Sequence, residues 1–258
     1  MTNDPMASAP ADALPAFLAS AEKLRMWSTA KRLGHYGAAL YADVPLRGKR
    51  MLDIGGGNGV FSLYAAASGA AQVICLEPET DGSSTGMRET FSRVARDIGA
   101  PNVEMRPCFM EEFDAEPGSF DIVLIHNSIN HFDEPACIAF GKDPAARAKY
   151  LSMFETIDRW LAPGGHLLLA DCSSRGLFAD LHVTNPFATW IEWHKHQPPE
   201  AWEGLLKQLG YSRCCLRWTS PNQLGGLGVA LLSNRLGAYL TISHFRLHML
   251  KAAAGARA

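Results

Sequence analysis

Between a β-rich run and a helical one the chain reads Asp53-Ile54-Gly55-Gly56-Gly57-Asn58-Gly59. Glycines directly after a strand let the backbone turn tightly and bring a ligand close to it. The acid ahead of the turn, Asp53, suits a ligand with an ammonium group, whereas a pyrophosphate needs only the free amides of a helix start. A second acid, Glu77, ends the next β-rich run twenty positions beyond Gly57, where a carboxylate accepts hydrogen bonds from both hydroxyls of a ribose. A dinucleotide fingerprint wants glycine at its first, third and sixth positions, and counted from Gly55 the sixth is Val60. A nicotinamide-dependent oxidoreductase is therefore the weaker reading of this loop.

Two other segments carry reactive side chains. His126-Asn127-Ser128-Ile129-Asn130-His131 leaves the fourth β-rich run at its carboxyl end, the edge where ligands sit in open α/β sheets. Farther on, Ser173 to Gln197 gathers His182, Phe187, Trp190, Trp193, His194 and His196. Large flat side chains beside a sheet edge exclude water and bind apolar or ring-shaped molecules, so Trp190, Trp193 and His194 are expected to touch a substrate. His194 and His196 could share one face as metal ligands, but no third ligand stands at a compelling spacing, and no metal is expected.

These groups need a scaffold that collects strand ends along one edge. From Arg50 the sequence alternates short β-rich runs with longer helical ones, the pattern of a parallel sheet covered on both faces. The spacing predicts strands at Arg50 to Ile54, Gln72 to Leu76, Val103 to Arg106, Ile122 to Ile125 and His166 to Ala170, then Arg213 to Trp218 and Ala238 to Met249 as a closing antiparallel hairpin. Helices are predicted over Gly59 to Ala67, Thr85 to Ile98, Pro144 to Leu161 and Pro199 to Leu209, with a partly helical stretch around Leu224 to Leu232. The fold class is α/β: a Rossmann-like, seven-stranded, mostly parallel sheet with an antiparallel C-terminal hairpin and helices on both faces. Residues 1–15 and the tail 251–258 bury too little apolar surface to fold and are expected to be disordered. Between them a single domain over 16–250 is expected, with N-terminal helices at 16–45 and a lid-like insertion at 173–197.

The glycine run, Leu76-Glu77-Pro78, Phe120 to Ile125, and Leu161-Ala162-Pro163-Gly164-Gly165-His166-Leu167 together resemble the class I S-adenosylmethionine-dependent methyltransferases, in order and spacing, over about residues 50 to 171. The resemblance implies S-adenosyl-L-methionine as cofactor. It places Gly55 and Gly57 against the methionine part, with Gly56 and Asn58 also among the cofactor contacts, Asp53 at the amino end and Glu77 on the ribose. The aspartate often found after the third strand is replaced by Phe109 and Met110, so adenine is expected on the Met110 N–H and the Phe109 ring. His126 and Asn127 complete the expected cofactor contacts, and Asn130 and His131 are expected on the acceptor. A sulfonium is already a strong electrophile, so a base is optional; for a hydroxyl acceptor His131 is the first candidate and His126 the second. The Asn/Asp-Pro-Pro-Tyr/Phe motif of the amino-methylating members is absent, which points to a small-molecule acceptor, with oxygen, carbon and small-amine acceptors all open. A methyltransferase-like binding protein without turnover is the nearest alternative.

Composition narrows the partners. Lysine and arginine number 24 against 26 acids, a net charge of −2, with no basic run for a phosphate backbone, so no nucleic acid partner is expected. The six cysteines form no CxxC pair, which suits a reducing, cytoplasmic setting. No run is apolar for long enough to cross a membrane, and a monomer or homodimer is expected.

Overall fold

The computed structural model describes residues 13–78, 86–221, 228, 231–253 and 255. Its strands are β1 (Arg50–Ile54), β2 (Gln72–Leu76), β3 (Val103–Arg106), β4 (Phe120–His126), β5 (Leu161–Cys172), β6 (Ser212–Trp218) and β7 (His244–Leu250). They form one seven-stranded mixed sheet in the order β3-β2-β1-β4-β5-β7-β6, with helices around it. β1 to β3 pair in parallel, Asp53 opposite Cys75 and Cys75 opposite Met105, while β7 runs antiparallel to both β5 and β6. The expected strands β1, β2 and β3 match residue for residue. Four successive β4 residues, Ile122 to Ile125, are fully buried, which is why this strand reads as a continuous apolar run rather than an alternating one. The chain divides within β4 into two compact units, Met1–Ala115 with Ser119–Leu124 and Glu116–Gly118 with Ile125–Ala258.

In the first unit, α1 (Ala13–Lys23) and α2 (Ala30–Leu40) precede β1, α3 (Val60–Ala67) follows the glycine loop, and α4 (Met87–Asp97) leads to β3. α3 is buried along its whole length, as a short helix must be when every residue but one is apolar or aromatic. Tyr64 stacks on Tyr41 at 5.7 Å and meets Phe17 edge-on at 6.2 Å, so α1 is held to α3 by aromatic contact. α1 begins at Ala13, which is buried. Residues 13–15 of the stretch expected to be disordered are therefore helical, with Pro15 in the first turn, where its missing N–H costs no bond. The expected helix start at Thr85 lies outside the described residues.

The second unit holds α5 (Ile129–Phe132), α6 (Glu134–Ala139), α7 (Pro144–Trp160), α8 (Leu177–Asp180), α9 (Pro199–Gln208) and α10 (Arg235–Leu240). α6 and α7 each start on an aspartate, Asp133 and Asp143, whose carboxylate accepts an early amide of the helix ahead of a proline-containing first turn, a strong start signal. The strand expected over Ala238 to Met249 begins only at His244. Asn234 caps a helix by accepting from the Gly237 N–H, and Ser243 at φ 47° breaks the chain before the strand. That cap outweighs the β preference of Tyr239, Thr241 and Ile242. The helical stretch expected around Leu224 to Leu232 lies outside the described residues apart from Gly228, Leu231 and Leu232. Nor is Lys251 part of a loose tail: its ammonium donates to Leu161 O at 2.8 Å and pairs with Asp158 at 3.2 Å. No helix among the described residues is long and apolar enough to cross a membrane.

The core of this unit is aromatic. Trp202 of α9 is fully buried, with Phe140, Tyr150 and Phe154 at 4.8, 5.1 and 6.2 Å between ring centroids. Trp202→Ala is expected to cost about 3–5 kcal/mol, read from the midpoint of urea unfolding at unchanged slope.

Candidate active site

Gly55, Gly57 and Gly59 all have positive φ, at 69°, 56° and 71°, which is what their residue type permits at little cost. The loop's amides are spent inside the protein: Gly55 and Gly56 donate to Leu76 O at 2.8 and 3.1 Å, and Gly57 donates to Glu77 Oε2 at 2.8 Å. The glycines differ in what surrounds them. A Cβ on Gly56 would meet Cys75 Sγ at 2.4 Å and Asp53 Oδ2 at 2.8 Å, and one on Gly59 would meet Phe91 at 2.3 Å, so these two are required for packing. A Cβ on Gly57 would meet nothing within 4 Å. Gly57 is thus the open face of the turn, tied to the acid that ends β2. Asn58 is consumed structurally, its amide donating to Met26 O at 3.0 Å and its carbonyl accepting from Val60 N at 3.1 Å.

Asp53 is 1% exposed. Its Oδ2 accepts from Ser62 Oγ of α3 at 2.7 Å, and its Oδ1 is buried with no hydrogen-bond partner among the described residues. Burial, opposed by the Ser62 bond and reinforced by the charge of Glu77, raises its pKa to about 7. Burial and then Asp53 itself push up Tyr41 and Cys75. An orphaned carboxylate oxygen, an open glycine and a neighbouring acid form an acceptor set that fits the N–H donors of an amino acid's ammonium and the hydroxyls of a ribose. Phe109 precedes a short 3-10 turn (Met110–Glu112) and is 49% exposed, hence no core residue, while the Met110 side chain is buried.

The second unit holds the remaining expected groups. His126 ends β4, and loss of water around its ring, with the His244 imidazole 5.9 Å away, lowers its pKa to about 3. Asn127 sits at φ 52° and bonds His244 Nε2 through Oδ1 at 3.1 Å. Asn130 is buried with its Oδ1 unpartnered among the described residues, whereas the neighbouring His131 is exposed. Trp193 and His194 form a 3-10 turn (Trp193–Lys195) and line a cavity of about 700 Å³ with Phe178, Val183 and Ile191; Trp190 is 74% exposed. The structure thus joins His126 and Asn127 through His244, and leaves His131 and Trp190 at the surface.

Several groups here were not singled out from the sequence. His244 of β7, Ser62 beneath Asp53, and Asp171, buried at the end of β5 with His196 Nδ1 3.2 Å away, are set by tertiary packing. Asp171 could have been found by the rule that singled out His126, since it stands at the carboxyl end of a parallel strand. No group of three or more His, Cys, Asp or Glu side chains that could hold a metal ion is formed among the described residues.

The raised pKa of Asp53 has a definite sign in stability. The folded state binds its proton more tightly than the unfolded chain, so folding loses stability as pH rises from the ordinary carboxylate value of 3.8 to about 7. The loss amounts to about 4 kcal/mol. Asp53→Asn, permanently neutral, is expected to remove that part of the fall in Tm between pH 4 and pH 7.5, measured calorimetrically on the protein alone; parallel profiles for the two proteins would refute the assignment.

Comparison with known proteins agrees with this geometry. Residues 26–214 match the model of a methyltransferase domain. Over 127 residues the chain is 29% identical to a ubiquinone biosynthesis O-methyltransferase of Neisseria meningitidis, a match covering 48% of this chain and 51% of that protein. It is 28% identical over 134 residues to a probable protein arginine N-methyltransferase 3 of Arabidopsis thaliana, covering 48% of this chain and 20% of the relative. The chain thus spans about half or less of the length of these curated relatives. A crystal structure of a putative S-adenosylmethionine-dependent methyltransferase from Listeria monocytogenes superimposes with a TM-score of 0.58 at 15% identity, over 86% of this chain and 97% of that one. The chain belongs to the methyltransferase-domain family and has the fold of the S-adenosylmethionine-dependent methyltransferases.

Proposed function

We propose that the protein methylates a hydroxyl oxygen of a small molecule. The observation that carries the cofactor half of this reading is the bond from the Gly57 N–H to the Glu77 carboxylate at 2.8 Å, beside the unpartnered Asp53 Oδ1. Together they present an ammonium acceptor and a ribose acceptor around a glycine with open space. S-adenosylmethionine, when bound, supplies an electrophilic methyl group on a sulfonium. The chain's own work is then to hold and orient, and to exclude water. Asp53 holds the amino end, Glu77 the ribose, and the exposed Phe109 ring with the Met110 N–H the adenine.

The acceptor half rests on the second unit. His126 at the end of β4 and His244 at the start of β7, with pKa values lowered to about 3 and about 4, are uncharged imidazoles at neutral pH. Such a lining suits a neutral hydroxylated molecule better than a cationic amine. Three relatives of the chain by sequence carry the name of ubiquinone biosynthesis O-methyltransferase, which supports oxygen. Asn130, with a buried and unpartnered carbonyl oxygen, is the acceptor contact of choice, joined by His131, Trp190, Trp193 and His194. As proton acceptors the two histidines expected from the sequence are poorly suited. A pKa near 3 makes His126 a weak base, and the His131 ring makes no hydrogen bond among the described residues that would orient it.

Isothermal titration with S-adenosylhomocysteine tests the cofactor half: Glu77→Ala is expected to weaken binding about 10- to 100-fold, the worth of hydrogen bonds to a charged group. The acceptor half is tested by mass spectrometry of a metabolite extract incubated with enzyme and cofactor. A metabolite gaining one methyl, with the new carbon resonating as a methoxy group by NMR, is the expected product; an N-methyl or C-methyl signal would refute the oxygen assignment and leave the cofactor site standing.

A further inference from the structure

The end of the lid-like segment is fastened residue by residue within the second unit. Lys195 Nζ pairs with Glu134 of α6 at 3.1 Å, and Gln197 Nε2 donates to Cys137 O of the same helix at 2.7 Å. Between them His196 places Nδ1 3.2 Å from each carboxylate oxygen of Asp171. Asp171 is 1% exposed, follows Ala170 at the carboxyl end of β5, and accepts from its neighbour's amide, Cys172 N, at 2.7 Å. The next turn is tied to the same place, because Asn127 N donates to Ala170 O at 2.8 Å. A histidine from an irregular segment is therefore seated at the ends of β4 and β5, the edge where open α/β sheets bind their ligands.

We propose that His196, oriented by the buried Asp171, is the general base that takes the proton of the acceptor's hydroxyl. The inference rests on the oxygen-acceptor reading above. A carboxylate against Nδ1 keeps the ring hydrogen on that nitrogen, leaving the lone pair on Nε2. Nε2 makes no hydrogen bond among the described residues, and the ring retains 13% of its surface exposed. The charged and titratable groups around it are Asp171 on β5, His244 on β7, Glu192 in its own segment, Glu134 on α6 through its pair with Lys195, and Lys195 and His194 just ahead of it in sequence. Of these, Asp171 and His196 act electrostatically on the buried His244 in opposite directions. Asp171 is a positioning residue, since its oxygens are turned to His196 and to backbone.

The step balances without a further reagent. The hydroxyl oxygen forms its new bond to carbon with a lone pair, and the carbon–sulfur bond breaks with its electron pair left on sulfur, which becomes a neutral thioether. The O–H proton passes to His196 Nε2; the imidazolium so formed lies against the Asp171 carboxylate and gives its proton to water as product leaves. Nothing is oxidised or reduced. A purely structural reading has His196 only fastening the lid, and the tests must separate the two.

The first test uses no acceptor. The full chain with ¹⁵N-labelled histidine, free of cofactor, is expected to show for His196 an Nδ1-protonated, Nε2-unprotonated ring, assigned by its loss in His196→Gln and perturbed in Asp171→Asn. An Nε2-protonated ring would overturn the proposal, because it has no lone pair to offer there. The second test follows tritium from methyl-labelled S-adenosylmethionine into a metabolite extract. His196→Gly is expected to lose at least about 100-fold in rate, with S-adenosylhomocysteine affinity within twofold of wild type, and free imidazole is expected to restore part of the rate. Loss without rescue, together with a lowered Tm, would assign His196 to lid fastening; turnover within threefold of wild type would remove the base altogether. Methyl transfer to nitrogen or carbon would instead sink the oxygen reading on which the proposal rests, an outcome distinguished by product NMR.

Discussion

A carboxylate shut away from water at the end of β1 governs the first unit. Asp53 is almost wholly buried, bonded on one oxygen by Ser62 and on the other by nothing among the described residues. Burying an acid with half of its hydrogen-bonding capacity unused is costly, and the raised pKa is the expression of that cost. The neighbours are shaped by it. Gly56 has no side chain because Asp53 and Cys75 fill that space, and the aromatic stack of Tyr41 and Tyr64 closes over the first turn of α3. A ligand that brings an ammonium group to Oδ1 offsets the cost, so binding energy and folding energy meet at one residue.

The second unit solves a different problem with the same device. Asp171 is buried at the end of β5, but its oxygens are occupied by a backbone amide and an imidazole. A satisfied carboxylate orients its partner, whereas an unsatisfied one invites a ligand. Each acid stands near the carboxyl end of its own strand, one with an oxygen unpartnered among the described residues and the other with both oxygens occupied. Near Asp171 the histidines of β4 and β7, His126 and His244, are kept uncharged by burial.

Legibility from sequence followed the range of the interactions involved. β1, β2 and β3 could be read to the residue because short apolar runs bounded by turn residues are local signals, and the glycine loop with Glu77 could be read because its spacing reflects a backbone requirement. At Ala238 to Met249 the β preference of Tyr239, Thr241 and Ile242 is a single-residue signal, and the cap supplied by Asn234, five positions before Tyr239, outweighs it. The positions of His131 and Trp190 are legible in the sequence, but their exposure is not, because exposure depends on what packs around them.

The amino-acid sequence by itself determined the alternation of strands and helices, the turn that can admit a ligand and the acids beside it, because each depends on residues close together in the chain. Only the tertiary structure decided which acid is left wanting a partner and which already has one. Ser62 comes to Asp53 from the next helix, and His196 comes to Asp171 across 25 positions. Burial and pairing are properties of what packs around a group, and no local pattern encodes them.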